Sequence, residues 1–169
     1  MAYTPTITVD EVIDALADFL QPFCPGAQIV RAQVNRVPQP PSPCVVLTEV
    51  LQLDLETPSN THRNDDDETD ISTPTRVDIQ VDFYGSQGGD FCRAVKSVFR
   101  SEYAPAQFPD GIKPLYCSDG IQAPLVTGER QYESRWTITA SLQYNPLVAV
   151  PQESANELSA NIDAPVDLS

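Results

Sequence analysis

Two stretches of ten residues, Thr75–Tyr84 (TRVDIQVDFY) and Arg135–Tyr144 (RWTITASLQY), alternate apolar and polar side chains, the first over Arg76–Phe83 and the second throughout. In the first, Val77, Ile79, Val81 and Phe83 alternate with Arg76, Asp78, Gln80 and Asp82. In the second, Trp136, Ile138, Ala140, Leu142 and Tyr144 alternate with Thr137, Thr139, Ser141 and Gln143. Successive side chains of a strand point to opposite faces, so each stretch has one apolar and one polar face. The pattern predicts two central strands of an antiparallel sheet with one covered face and one wet face. Trp136 is expected in the core, where the second strand meets the helices.

Thr8–Gln21 reads as a helix. Thr8 and Glu11 form a T-x-x-E capping box, Ile7 and Val12 fit a hydrophobic staple, and Val9, Val12, Ile13, Leu16, Phe19 and Leu20 make one stripe. A second helix is expected over Phe91–Tyr103, capped by Asp90 and stopped before Pro105. Strands are expected over Gln28–Val37 and Cys44–Leu55, joined by the stiff run PQPPSP (38–43). The Cys44–Leu55 strand begins as a continuous apolar run and then alternates, which predicts burial on both sides at first and on one side later. Residues 56–74 form a long polar excursion between two strands, hence a hairpin with an acidic tip. Residues 107–131 are irregular apart from short apolar pieces at 112–117 and 121–126, and 151–169 read as a tail with a short helix near Glu153–Leu158. The fold class is α+β: an antiparallel sheet with two helices packed on one face, a long acidic hairpin loop and an extended C-terminal tail. At 169 residues the chain suits one domain, residues 1–150, followed by the 151–169 tail.

The formal net charge of −14 argues against nucleic acid or an anionic membrane as a default partner, since phosphate binding needs clustered Lys and Arg. No apolar run approaches membrane-spanning length, and the N-terminus lacks the basic and apolar regions of a signal peptide. Cys24, Cys44, Cys92 and Cys117 have no metal-ligand spacing and sit beside apolar runs, which predicts buried free thiols in a reducing compartment.

Few residues offer chemistry. The acidic run Asp65, Asp66, Asp67, Glu68 and Asp70 offers carboxylates to Ca²⁺ or Mg²⁺, but lacks the spaced acids and turn glycine of an EF-hand; the other reading is a solvated or partner-facing loop. Asp78 and Asp82 share one strand face, where a metal-dependent nuclease or two-carboxylate hydrolase could be built, against a plain solvated sheet face. His62 is the only histidine, and no phosphate-binding glycine motif is present. Arg93, Lys96 and Arg100 form a basic stripe at helical spacing, either an ordinary exposed face or a docking surface for acidic groups.

The segments PCVVLTEV (43–50), VDIQVDFYG (77–85) with the helix after it, and GERQYESRWTITASLQYNP (128–146) resemble the neck or tail terminator proteins of contractile-tailed bacteriophages and prophages. The resemblance runs over residues 9–150 and leaves out the acidic loop and the tail. It implies a structural protein without chemistry or cofactor, a homo-oligomer forming a hexameric ring on the last ring of the tail tube. Such a ring stops tube growth and joins the tail to the head-side connector or adaptor protein, while genomic DNA passes through without specific binding. The implied neighbours are the tail tube protein and the sheath, with no membrane. The implied setting is the virion, assembled in the host cytoplasm. The alternatives are another neck component, such as a head-completion or sheath-capping protein, or a metal-dependent enzyme using Asp78 and Asp82. A ring needs different patches of one subunit to meet, and Asp65–Asp70 and the Arg93, Lys96, Arg100 stripe are complementary candidates. The polar sheet face with Asp78, Gln80, Asp82, Thr137, Thr139 and Ser141 is the candidate lumen wall.

Overall fold

The computed structural model describes residues 3–32, 40–63, 67–123, 125–126 and 132–152. In chain order the elements are α1 (Val9–Leu20), β1 (Gln28–Arg31), β2 (Cys44–Asp54), β3 (Ser59–Arg63), β4 (Glu68–Ser72), β5 (Thr75–Tyr84), α2 (Gly88–Phe99), β6 (Ile112–Cys117), β7 (Ile121–Gln122), β8 (Leu125–Val126), β9 (Tyr132–Glu133), β10 (Arg135–Tyr144) and β11 (Leu147–Pro151). The main sheet has the order β1-β2-β5-β10-β6, with β7 beside the other end of β10. Its pairings are antiparallel except that β1 runs parallel to β2. The fold is therefore α+β, and the two alternating stretches are its central pair, in register from Arg135 opposite Tyr84 to Tyr144 opposite Thr75.

The apolar face of that pair carries the core. Val77, Ile79, Val81 and Phe83 of β5 and Ile138, Ala140 and Leu142 of β10 are buried in one cluster with Val12, Leu16 and Leu20 of α1 and Phe91, Val95 and Phe99 of α2. Both helices thus cover the same face. Each buried aliphatic side chain contributes about 1.5–3 kcal/mol relative to exposure. Phe19, Phe99 and Phe108 tie α1, α2 and the segment before β6 together: Phe19 and Phe108 stack at 5.1 Å, and Phe99 meets Phe19 edge-on at 5.7 Å. At the start of α1 the capping box forms in full, with Glu11 N–H donating to Thr8 Oγ1 at 3.3 Å and Thr8 N–H to the Glu11 carboxylate at 2.7 Å.

The second helix departs from its sequence signals. It begins at Gly88, three residues before Phe91, and its N-cap is Gln87 rather than Asp90. The reason is close packing: a Cβ at Gly88 would lie 2.8 Å from the Phe83 carbonyl oxygen, and one at Gly89 would lie 3.0 Å from the Trp136 indole nitrogen. These glycines let the helix start against the sheet rather than break the chain. The helix ends at Phe99, where Ser101 Oγ donates to the Val98 carbonyl at 2.6 Å, and Tyr103 is exposed. Trp136 is only half-buried and packs at the margin of the core, which corrects its expected place inside it.

Residues 56–74 are not a structureless loop. They hold β3 and β4, which pair in a second sheet of order β11-β4-β3. This sheet repeats the order of β10, β5 and β2, because β2 runs into β3, β4 into β5 and β10 into β11. A proline stands at each of the three crossings: Pro58, Pro74 and Pro146. Proline has no N–H to give to a ladder, so the sheet is interrupted at one level across all three strands. The turn between β3 and β4 lies at the far end of this arm, where Asp67 has φ 51°. Residues 33–37 of the expected first strand and the expected helix near Glu153–Leu158 lie outside the described residues.

Strand β2 also corrects its expectation. A bulge between Glu49 and Leu51 shifts the register, so that Leu51 stands opposite Asp78 and Leu53 opposite Arg76, on the face away from the helices. Val50, Leu51, Leu53 and Leu55 are all exposed rather than buried on one side.

Candidate functional site

The face of β5 and β10 away from the helices is a closed hydrogen-bond network rather than the wet face expected. Asp78, Asp82 and Ser141 are 7%, 3% and 3% exposed. Arg76 grips Asp78 with two bonds, Nε to Oδ1 and Nη2 to Oδ2, both 2.7 Å, and Ser141 Oγ donates to Oδ1 at 2.6 Å. Arg135 reaches across to Asp82, Nε to Oδ1 at 3.1 Å and Nη2 to Oδ2 at 2.9 Å. Thr137 Oγ1 and Gln80 Nε2 complete the Asp82 shell at 2.5 and 2.8 Å. Forked pairs of this kind are the geometry arginine offers best to a carboxylate. Burial by itself raises the Asp78 carboxyl, but the hydrogen bonds from Arg76 and Ser141 and the Arg76 charge outweigh it and hold the group below the usual carboxylate range. Thr139 Oγ1 enters no bond in this network; its backbone N–H donates to Ser118 Oγ at 2.8 Å.

Both carboxylates therefore spend their oxygens on arginine and hydroxyl donors. That arrangement disfavours a general base or metal ligand at Asp78 and Asp82, because an arginine fork occupies both oxygens of each. Among the described residues no group of three or more His, Cys, Asp or Glu side chains converges as metal ligands would. His62 Nδ1 lies 3.1 Å from Thr69 Oγ1, which donates to Gln152 Oε1 at 2.5 Å, a bond that ties β3, β4 and the end of β11 together.

The basic stripe on α2 divides in two. Lys96 Nζ pairs with Asp119 at 2.5 Å. Arg100 donates through Nε to the Cys117 carbonyl at 2.8 Å, lies over the Tyr116 ring at 5.0 Å, and approaches Asp119 at 3.4 Å. The hydrogen bond and charge of Lys96, with the charge of Arg100, lower the Asp119 carboxyl. Lys96 and Arg100 thus fasten the end of β6 to the helix, while Arg93 is exposed and enters no ion pair among the described residues. Arg93 and Lys96 border a cleft of about 480 Å³ with Asp90, Cys92, Gly120 and Trp136.

The acidic run divides as well. Glu68 and Asp70 pair with Arg63 across the β3–β4 hairpin at 2.5 and 3.2 Å. The Asp67 carbonyl accepts the Gln152 N–H at 2.9 Å. Asp65 and Asp66 lie outside the described residues. Sequence reasoning missed Arg63, Arg76, Asp119 and Arg135. The available signal was spacing: Arg76 stands two positions from Asp78 on one strand face, and Arg135 is the diagonal neighbour of Asp82 once the hairpin register is set.

No helix of the described residues is long and apolar enough to cross a membrane. All four cysteines are buried thiols. A comparison with curated proteins found no significant match. A family model described as phage neck terminator protein matches residues 10–166, a span that takes in the acidic arm and runs into the tail, beyond the 9–150 of the resemblance. The match covers nearly the whole chain, so this protein belongs to the phage neck terminator protein family and is a structural component of the phage virion neck.

Proposed function

We propose that the chain forms a ring, hexameric as the resemblance implies, that caps the tail tube, ends its polymerisation and joins the tail to the head-side connector while DNA passes through. The observation that carries this reading is the family match over residues 10–166. The sheet supports it. Its polar face carries the part-exposed Gln80, Thr137 and Thr139 over the buried Asp78, Asp82 and Ser141, with both carboxylates already paired to arginine, so it has little free charge to hold a passing polyanion. We assign this face to the lumen. The end of the β3–β4 arm, with Asp67, Glu68 and Asp70, stands beyond the prolines, and the Asp65–Asp70 run is the segment to reach a neighbour; Arg93 is the member of the basic stripe left to receive an acidic partner. Residues 1–150 act as the ring-forming domain and 151–169 as the tail, with assembly in the host cytoplasm.

The test is a phage lacking this protein. Electron microscopy should show tails of uncontrolled length that are not joined to heads, and the supplied chain should restore both. Tails of normal length left unjoined would move the assignment to a head-completion role.

A further inference from the structure

Among the described residues, seven of the ten exposed large apolar side chains gather on the two opposite margins of the main sheet; Tyr3, Tyr103 and Leu147 lie elsewhere. On the β2 margin, Val50, Leu51, Leu53 and Leu55 are 41–51% exposed. On the β6 and β7 margin, Leu115, Tyr116 and Ile121 are 47–68% exposed. Leu51 and Leu53 stand opposite Asp78 and Arg76, Tyr116 opposite Ser141 and Ile121 opposite Thr137, so four of these side chains flank the same polar face from its two sides. Among the described residues both margins are open: β1 covers β2 as far as Leu47, and no strand pairs with the outer side of β6.

The charges differ in sign. Glu49, Asp54 and Glu56 are exposed along the β2 margin. Lys113 and Arg100 are exposed along the β6 margin, where the one acid between β6 and β7, Asp119, is already paired with Lys96 and Arg100. A contiguous exposed apolar patch with a charged rim is the composition of a protein contact, and two patches of opposite rim charge complement each other.

We propose that the β2 margin of one copy packs against the β6–β7 margin of the next. The occupant of each patch is a second copy of this chain. Because the patches are different and lie on opposite margins, the contact is head-to-tail, and repetition closes a ring when the rotation allows. The main sheets would then follow one another around it. This inference rests on the ring of the proposed function and names the surfaces that build it. Contact is made by side chains, since Pro114 and the register slip of β6 against β10 at Leu115 make β6 a poor strand to extend by pairing.

The experiment uses two full-length variants, Leu51→Asp with Leu53→Asp on one margin and Leu115→Asp with Ile121→Asp on the other. All four sites are exposed, and circular dichroism should show wild-type folding in both. Native mass spectrometry should find the wild type assembled and each variant monomeric. Mixing the variants should give heterodimers and nothing larger, because each keeps one intact margin. Rings that survive in either variant, or variants that fail to pair when mixed, overturn the interface and leave the ring standing. A wild-type chain that stays monomeric removes both.

Discussion

Asp78 shows what one side chain does here and why its role was hard to read. In sequence it is a polar residue on an alternating strand, and alternation predicts a wet face. What the pattern omits is that Arg76, two positions away, folds back along the strand and that Ser141 arrives opposite it. The face closes over its own charges. The carboxyl is held below its ordinary range, so its contribution to stability is present above that range and is lost as pH falls through the lowered value. Asp78→Asn should cost about 1–3 kcal/mol at neutral pH and flatten the acid limb of stability against pH, measured by urea denaturation at a series of pH values. An acid limb identical to that of the wild type would show that this carboxylate does not govern it. Trp136 makes a related point. Its alternation is right, but it falls at the end of the covered face, against Gly89 and Gly120. Truncation should cost roughly half the 3–5 kcal/mol of a fully buried aromatic. Trp136→Ala is therefore expected to be soluble, with Tm lowered by roughly 4–8 °C in a thermal scan.

At the scale of elements, the two central strands and the first helix were legible because their signals are local and redundant, whereas β3, β4 and β11, short and poor in alternating apolar residues, were not. The capping box, the staple position and the apolar stripe all agree on α1. The second helix was displaced because its glycines serve a contact with Phe83 and Trp136, distant in sequence, and so resemble a breaker. The exposed half of β2 was misread for the same reason: a bulge inverts which face its leucines occupy, and no local residue announces it. The basic stripe on α2 was visible as spacing, but its split was not, because Asp119 and the Cys117 carbonyl come from another element. This gives a pair of expected outcomes. Arg93→Glu should leave the melting curve unchanged, whereas Arg100→Glu should lower Tm, since it repels Asp119 and releases the Cys117 carbonyl. If Arg93→Glu still complements a phage lacking the protein, Arg93 has no docking role.

For the whole molecule, the α+β class and the family resemblance were legible from the residues alone, and the family match extends that resemblance into the arm and tail. Burial raises the Cys24 thiol to about 12 and the Cys117 thiol to about 11, so neither is a thiolate at neutral pH. The folded chain should resist alkylation. After unfolding without reductant, mass measurement should show an adduct on each of the four cysteines; a mass short of that number would reveal disulfides. The three prolines where the main sheet gives way to the arm have a mechanical meaning. Three strands cross there side by side, each interrupted at the same level. A strip creased along one line, and held by three side-by-side ties, resists twisting and stretching far more than it resists folding. Thr6 braces the crease by exchanging two bonds with Leu147, and a pull on the arm would be borne along the strands by β2, β5 and β10. The arm is a braced tab whose load path ends in the centre of the sheet.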